Sequence, residues 1–164
     1  AGAPRLPVCL AGVGRMTCQH VYVGPRPHEM EDGISARRCR ECGWRERVIR
    51  LPWIPPGSNQ LHRMHHEEVA RLRRQLHQDV SYLLLEAGPV GDPLERARVT
   101  CDFRWRDGRR RDADNYLAGL KAGLDALVGR WLVDDDVDHV EQLARGRTGT
   151  GEPDHVVITV EPRP

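Results

Sequence analysis

The chain has 164 residues, enough for one ordinary domain, or for a domain of roughly 110 residues with a small appendage. Its 25 basic and 24 acidic side chains cancel to +1, so total charge alone predicts no polyanionic partner. No stretch approaches the roughly 18 consecutive apolar residues that cross a bilayer, and residues 1–15 lack a cationic segment followed by an apolar one; a cytoplasmic protein with no membrane partner is expected.

Residues 1–15 read as a disordered lead-in, and residues 16–50 as a small metal-bound segment. The five cysteines, Cys9, Cys18, Cys39, Cys42 and Cys101, are an odd number that suits a reducing compartment better than a disulfide framework. Cys39-Arg40-Glu41-Cys42-Gly43 aims two thiolates at one ion, with Gly43 taking a backbone conformation other residues resist. Cys18 and His20 form the matching pair, with His28 as a competing ligand, and zinc is the natural occupant. Apolar side chains here are few, so a structural ion has to supply what burial cannot. The segment is similar to a zinc ribbon.

Residues 51–164 read as one α+β domain with a mixed sheet and two main helices. Leu51–Ile54 is a strand candidate, ended by the loop Pro55-Pro56-Gly57-Ser58-Asn59. Met64, Val69, Leu72, Leu76, Val80 and Leu83 recur at helical spacing, which predicts an amphipathic helix over about 62–87 closed by Gly88-Pro89. Val99, Cys101, Phe103 and Trp105 alternate with polar residues, the pattern of a half-buried strand. A second helix is expected from Asp114 or Asn115 through Leu117, Leu120, Leu124 and Leu127 to Gly129. Trp131–Val133, Val140–Ala144 and Val156–Val160 are further strand candidates.

Charge is segregated along this order. Arg104, Arg106, Arg109, Arg110 and Arg111 crowd one stretch, whereas Asp134, Asp135, Asp136, Asp138 and Glu141 crowd another. A near-neutral total thus conceals a basic face suited to nucleic acid and an acidic pit suited to a divalent cation. If residues 112–114 are extended, Asp112 and Asp114 point the same way and chelate one ion, with a third carboxylate from the loop after Trp131. Magnesium prefers such hard, partly hydrated oxygen cages. Lys121 would then aim its ammonium at a phosphate or a leaving oxygen, and phosphodiester hydrolysis is the reaction class. Neither cluster fits a calcium-binding loop: Leu117 and Gly123 counted from Asp112, and His139 and Arg145 counted from Asp134, stand where glycine and glutamate belong.

Pro55-Pro56-Gly57-Ser58-Asn59, Asp112-Ala113-Asp114-Asn115, Lys121, Leu124-Asp125-Ala126-Leu127 and Asp134-Asp135-Asp136, in that order over about residues 51–164, resemble the RusA family of Holliday junction resolvases. The resemblance implies a homodimeric, magnesium-dependent endodeoxyribonuclease of DNA recombination and repair. Such enzymes are typically phage- or prophage-encoded and nick four-way junctions in symmetric pairs. By that analogy Asp112, Asp114 and Asp135 are the metal ligands, with Asp134 and Asp136 open as alternatives to Asp135, and Lys121 is the catalytic lysine. Asn59 would lie close to the metal, with a structural role in its proline turn as the alternative, and Arg104, Arg106, Arg109, Arg110 and Arg111 would hold the junction backbone. The gap from Asp112 to Lys121 is longer than in the best-known member. Two other functions fit the composition: a zinc-containing DNA-binding protein without catalysis, and a nuclease for other branched or flap DNA.

Overall fold

The alternation of Ala97, Val99, Cys101 and Phe103 with Arg98, Thr100, Asp102 and Arg104 builds the strand on which the domain is assembled. The computed structural model describes residues 47–88 and 90–163, and the backbone of three two-residue strands, β1 (Tyr22–Val23), β2 (Ile34–Ser35) and β3 (Arg38–Cys39). The longer elements are β4 (Arg47–Leu51), α1 (Ser58–Leu61), α2 (His66–Ala87), β5 (Ala97–Arg104), α3 (Ala113–Asp125), β6 (Val140–Arg147) and β7 (His155–Pro162). The main sheet runs β2-β4-β7-β5-β6, with β5 and β6 parallel and the other pairs antiparallel. This is an α+β arrangement with one mixed sheet and two long helices.

Register places one apolar layer under both helices. Ile49 pairs with Ile158, Leu51 and Phe103 both pair with Val156, Cys101 pairs with Ile158 and Val99 with Val160. Leu76, Val80 and Leu84 of α2 and Leu120 and Leu124 of α3 are buried in the same core. The helices cross closely because Gly123 has no side chain: a Cβ there would sit 3.1 Å from Val80 and 3.2 Å from Leu76.

Four elements differ from the sequence-based expectation, one of them the second helix, which ends at Asp125 and not near Gly129. Residues 47–50, expected in the metal-bound segment, belong to the main sheet as β4, and the strand ends at Leu51 instead of reaching Ile54. Arg47 hides this strand in the sequence, because it holds a core-facing position at 2% exposure. Its two terminal guanidinium nitrogens donate to the carbonyls of Trp131 at 2.6 Å and Asp92 at 2.5 Å, while the buried Nε has no hydrogen-bond partner among the described residues. Trp131–Val133 is a turn and not a strand, since Leu132 makes only isolated bridges with Leu94 and Val128, and Gly129 at φ 77° reverses the chain. The first long helix begins at His66 and not at residue 62, and it ends as expected, with Gly88 at φ 68° donating its N–H to Leu85.

His155 sits almost fully buried at the start of β7, with Nδ1 2.7 Å from the Pro153 carbonyl. Burial, more than any neighbour, holds its pKa below the ordinary value of 6.5. As pH falls through that ordinary value the unfolded chain takes up a proton that folded His155 resists, so stability contributed near neutrality is lost on acidification. Wild type is therefore expected to lose melting temperature between about pH 7 and about pH 5.5, and His155→Gln to lose less over that interval. Thermal melts of both proteins across the range check this.

Candidate metal and phosphate site

Loop 52–57 and α1 reach α3 because Trp53 anchors the chain after β4, donating its indole N–H to Asp79 of α2 at 2.9 Å. The other approach to α3 comes from the end of β5. Trp105 there packs edge-on to Tyr116 at 5.2 Å and stacks near Phe103 at 5.9 Å, with the Arg111 guanidinium 5.4 Å from its ring centroid.

Asp112 is the N-cap of α3, its Oδ1 accepting the Asp114 N–H at 3.1 Å. The extended conformation expected for residues 112–114 is thus replaced by a helix from Ala113 onward. The cause is local: a carboxylate at this position satisfies a backbone donor that would otherwise be orphaned. Helical geometry imposes a different alignment from the expected one. Asp114, Lys121 and Asp125 are separated by seven and four residues, so all three project from one side of α3.

Lys121 donates to Asp125 at 2.9 Å and to Asp135 at 3.0 Å. The hydrogen bonds with Asp125 and Asp135 hold its pKa above the ordinary lysine value, and Lys121 in turn holds the Asp135 carboxyl below the ordinary carboxylate value. The three consecutive aspartates are used differently. Asp134 accepts the N–H of Asp135 at 2.7 Å, and Asp136 accepts from the backbone of Asp138 and His139 while its Oδ1 lies 2.5 Å from the His139 ring. Asp135 is the one bonded to α3.

Asp112 and Asp114 suit a magnesium ion that keeps several waters, a mode needing only one or two carboxylates. Asp114 makes no side-chain hydrogen bond or ion pair among the described residues, and Asp112 spends only one oxygen on its cap. Asp135 does not join them directly. About 10 Å of helix rise separates Asp114 from Lys121, its partner. Among the described residues no three His, Cys, Asp or Glu side chains converge to hold one ion.

The five arginines divide. Arg111 is committed to Asp107, which it holds down to a pKa of about 2, and Arg104 donates to Asp102 at 3.0 Å and 3.2 Å. Arg106, Arg109 and Arg110 are exposed. Sequence reasoning gave no role to Asp125, although its spacing of four from Lys121 was a usable signal, nor to Arg145 and Arg147, exposed on β6. Cys18, His20 and Cys42 lie outside the described residues, as does the side chain of Cys39. The backbone register of β1 with β3 sets Cys39 opposite Tyr22. No protein-family model matches the chain, and no curated protein matches it.

Proposed function

We propose that the chain is a magnesium-dependent, structure-specific endodeoxyribonuclease of the RusA type that cuts four-way DNA junctions as a homodimer. The observation that carries this reading is one side of α3 bearing Asp114, Lys121 and Asp125, with the Asp112 cap at its start and Asp135 drawn onto it by Lys121. Asp112 and Asp114 would hold the ion, and Asp135 would approach it once Lys121 turns to the DNA. When bound, the ion lowers the pKa of a water ligand and neutralises charge building on the phosphorus oxygens. Lys121, kept charged by its carboxylate partners, is suited to donate to the leaving oxygen as the phosphodiester bond breaks. Arg106, Arg109 and Arg110 hold the flanking backbone, so affinity falls steeply with salt. Paired nicks on strands related by a twofold axis are most simply made by two sites related the same way, which is the argument for a dimer.

One observation favours the second reading, a DNA-binding protein without catalysis: Lys121 already neutralises Asp135, as it would in a purely structural ion pair. Labelled four-way, three-way, flap and linear DNA, incubated with and without magnesium, separate the possibilities. Symmetric nicks in the four-way substrate alone are expected. Retention without nicking selects the second reading, and preferential cutting of flaps selects a different nuclease.

For the N-terminal segment the reading includes a structural zinc held by Cys18, His20, Cys39 and Cys42. The antiparallel β1–β3 pair supports it by setting Cys39 level with a residue two positions after His20. Elemental analysis is expected to give one zinc per chain, lost in Cys39→Ser/Cys42→Ser; a metal-free wild type would refute this.

A further inference from the structure

Asn115 fastens a separate piece of chain to the acidic end of α3. Its Oδ1 accepts the backbone N–H of Asn59 at 3.2 Å, tying the 55–61 segment to the helix. Two glycines permit the approach. A Cβ on Gly57 would lie 2.4 Å from Asn115 Nδ2, and one on Gly119 would lie 2.1 Å from the Pro56 carbonyl oxygen, distances no real side chain tolerates. Asn115 and Gly119, four apart, present one strip of α3 to the loop. From the other side Gln60 Oε1 accepts the Gly57 N–H at 3.1 Å. The loop's height on the helix is therefore fixed, with the Asn59 backbone held to the residue that follows Asp114 and the Asn59 side chain left exposed.

We propose that Asn115 is a positioning residue for phosphodiester cleavage, holding Asn59 so that its carboxamide N–H donates to a non-bridging oxygen of the scissile phosphate. The inference rests on the nuclease reading above. A carboxamide suits the task because it donates a hydrogen bond without a positive charge that would compete with a cation for Asp112 and Asp114. The device also has to be rigid, since misplacing a donor by about 1 Å costs on the order of 100-fold in rate.

Single-turnover nicking of a four-way junction at saturating protein and magnesium, with junction affinity measured in chelator, tests this on full-length wild type, Asn59→Ala, Asn115→Ala and the double variant. Asn59→Ala removes an exposed side chain, keeps the backbone N–H and is expected to fold. Each single variant is expected to nick at least about tenfold more slowly, with junction affinity within about threefold of wild type. The double variant is expected to be no slower than the slower single, because Asn115 acts through Asn59. Wild-type rates in either single variant, or a double whose loss is the product of the two, overturn the inference while leaving the nuclease reading intact. A wild-type protein that nicks no DNA removes that reading and the inference together.

Discussion

Asp114→Asn is expected to slow magnesium-dependent nicking by about 1,000-fold or more, a barrier increase of about 4 kcal/mol, while junction affinity in chelator stays within about threefold of wild type. The split follows from where Asp114 stands. Its carboxylate is exposed, makes no side-chain hydrogen bond or ion pair among the described residues, and is not the cap of α3, a task that falls to Asp112. Replacing it with the nearly isosteric amide removes the negative charge that the proposed metal site needs without touching packing, so the melting curve is expected to stay unchanged. Quenched-flow nicking and gel retardation on the same preparation check the two halves. A variant that nicks at the wild-type rate takes Asp114 out of the site, and one that loses affinity in chelator makes it a DNA contact instead.

Lys121→Met should produce the second large effect, a loss of about 100-fold in nicking rate together with tighter magnesium use. The lysine holds two carboxylates, Asp125 and Asp135, and each pair competes with any cation for the same oxygens. On the proposed reading, removing the ammonium would take away the donor to the leaving oxygen and also free the carboxylate oxygens, so half-maximal activity is expected at lower magnesium concentration. Little stability is expected to be lost, because Lys121 is 69% exposed and a pair so placed is well screened by water. A magnesium titration of wild type and variant separates this from a structural role, which would leave the midpoint where it was. The Lys121–Asp135 pair stays ionised from below the ordinary carboxylate pKa to above the ordinary lysine pKa, given the directions in which each shifts the other. A break in the rate profile between about pH 6 and about pH 9 must then arise from another group.

Legibility in the sequence tracked burial on one face. The β5 alternation and the Leu76 and Val80 positions of α2 could be read directly, because one side of each element meets the core and the other meets polar surroundings, whereas the buried position in the last turn is Leu84 and not the expected Leu83. β4 escaped since Arg47 occupies a core-facing position whose cost is met in part by carbonyls of residues 92 and 131, partners that only the folded chain brings close. Trp131-Leu132-Val133 imitated a strand for the opposite reason. Trp131 and Leu132 are apolar and buried, but the backbone N–H groups of Arg130, Trp131 and Leu132 return to the Leu127 carbonyl and not to a neighbouring strand.

In the candidate site, the density of carboxylates and the lysine were visible, but their grouping was not. Asp112 and Asp114 looked like a strand pair because alternation and helix capping both place aspartates two apart, and the choice between them is made by the backbone at Ala113. Which aspartate of the 134–136 run meets α3 depends on the turn at Gly129 and on hydrogen bonds that occupy Asp134 and Asp136 locally. The clamp between Asn115 and Asn59 spans 56 residues and leaves no local signal beyond two glycines whose missing side chains matter only once the loop lies on the helix.

Direct binding of a divalent cation at the start of α3 is the measurement closest to the centre of this account. Manganese, a paramagnetic substitute for magnesium, can be titrated into wild type and into Asp112→Asn/Asp114→Asn while the free ion is followed by its electron paramagnetic resonance signal. Saturable binding to wild type, displaced by excess magnesium and absent from the double variant, is the expected result. Equal binding by both proteins, or none by either with junction DNA present, would contradict it.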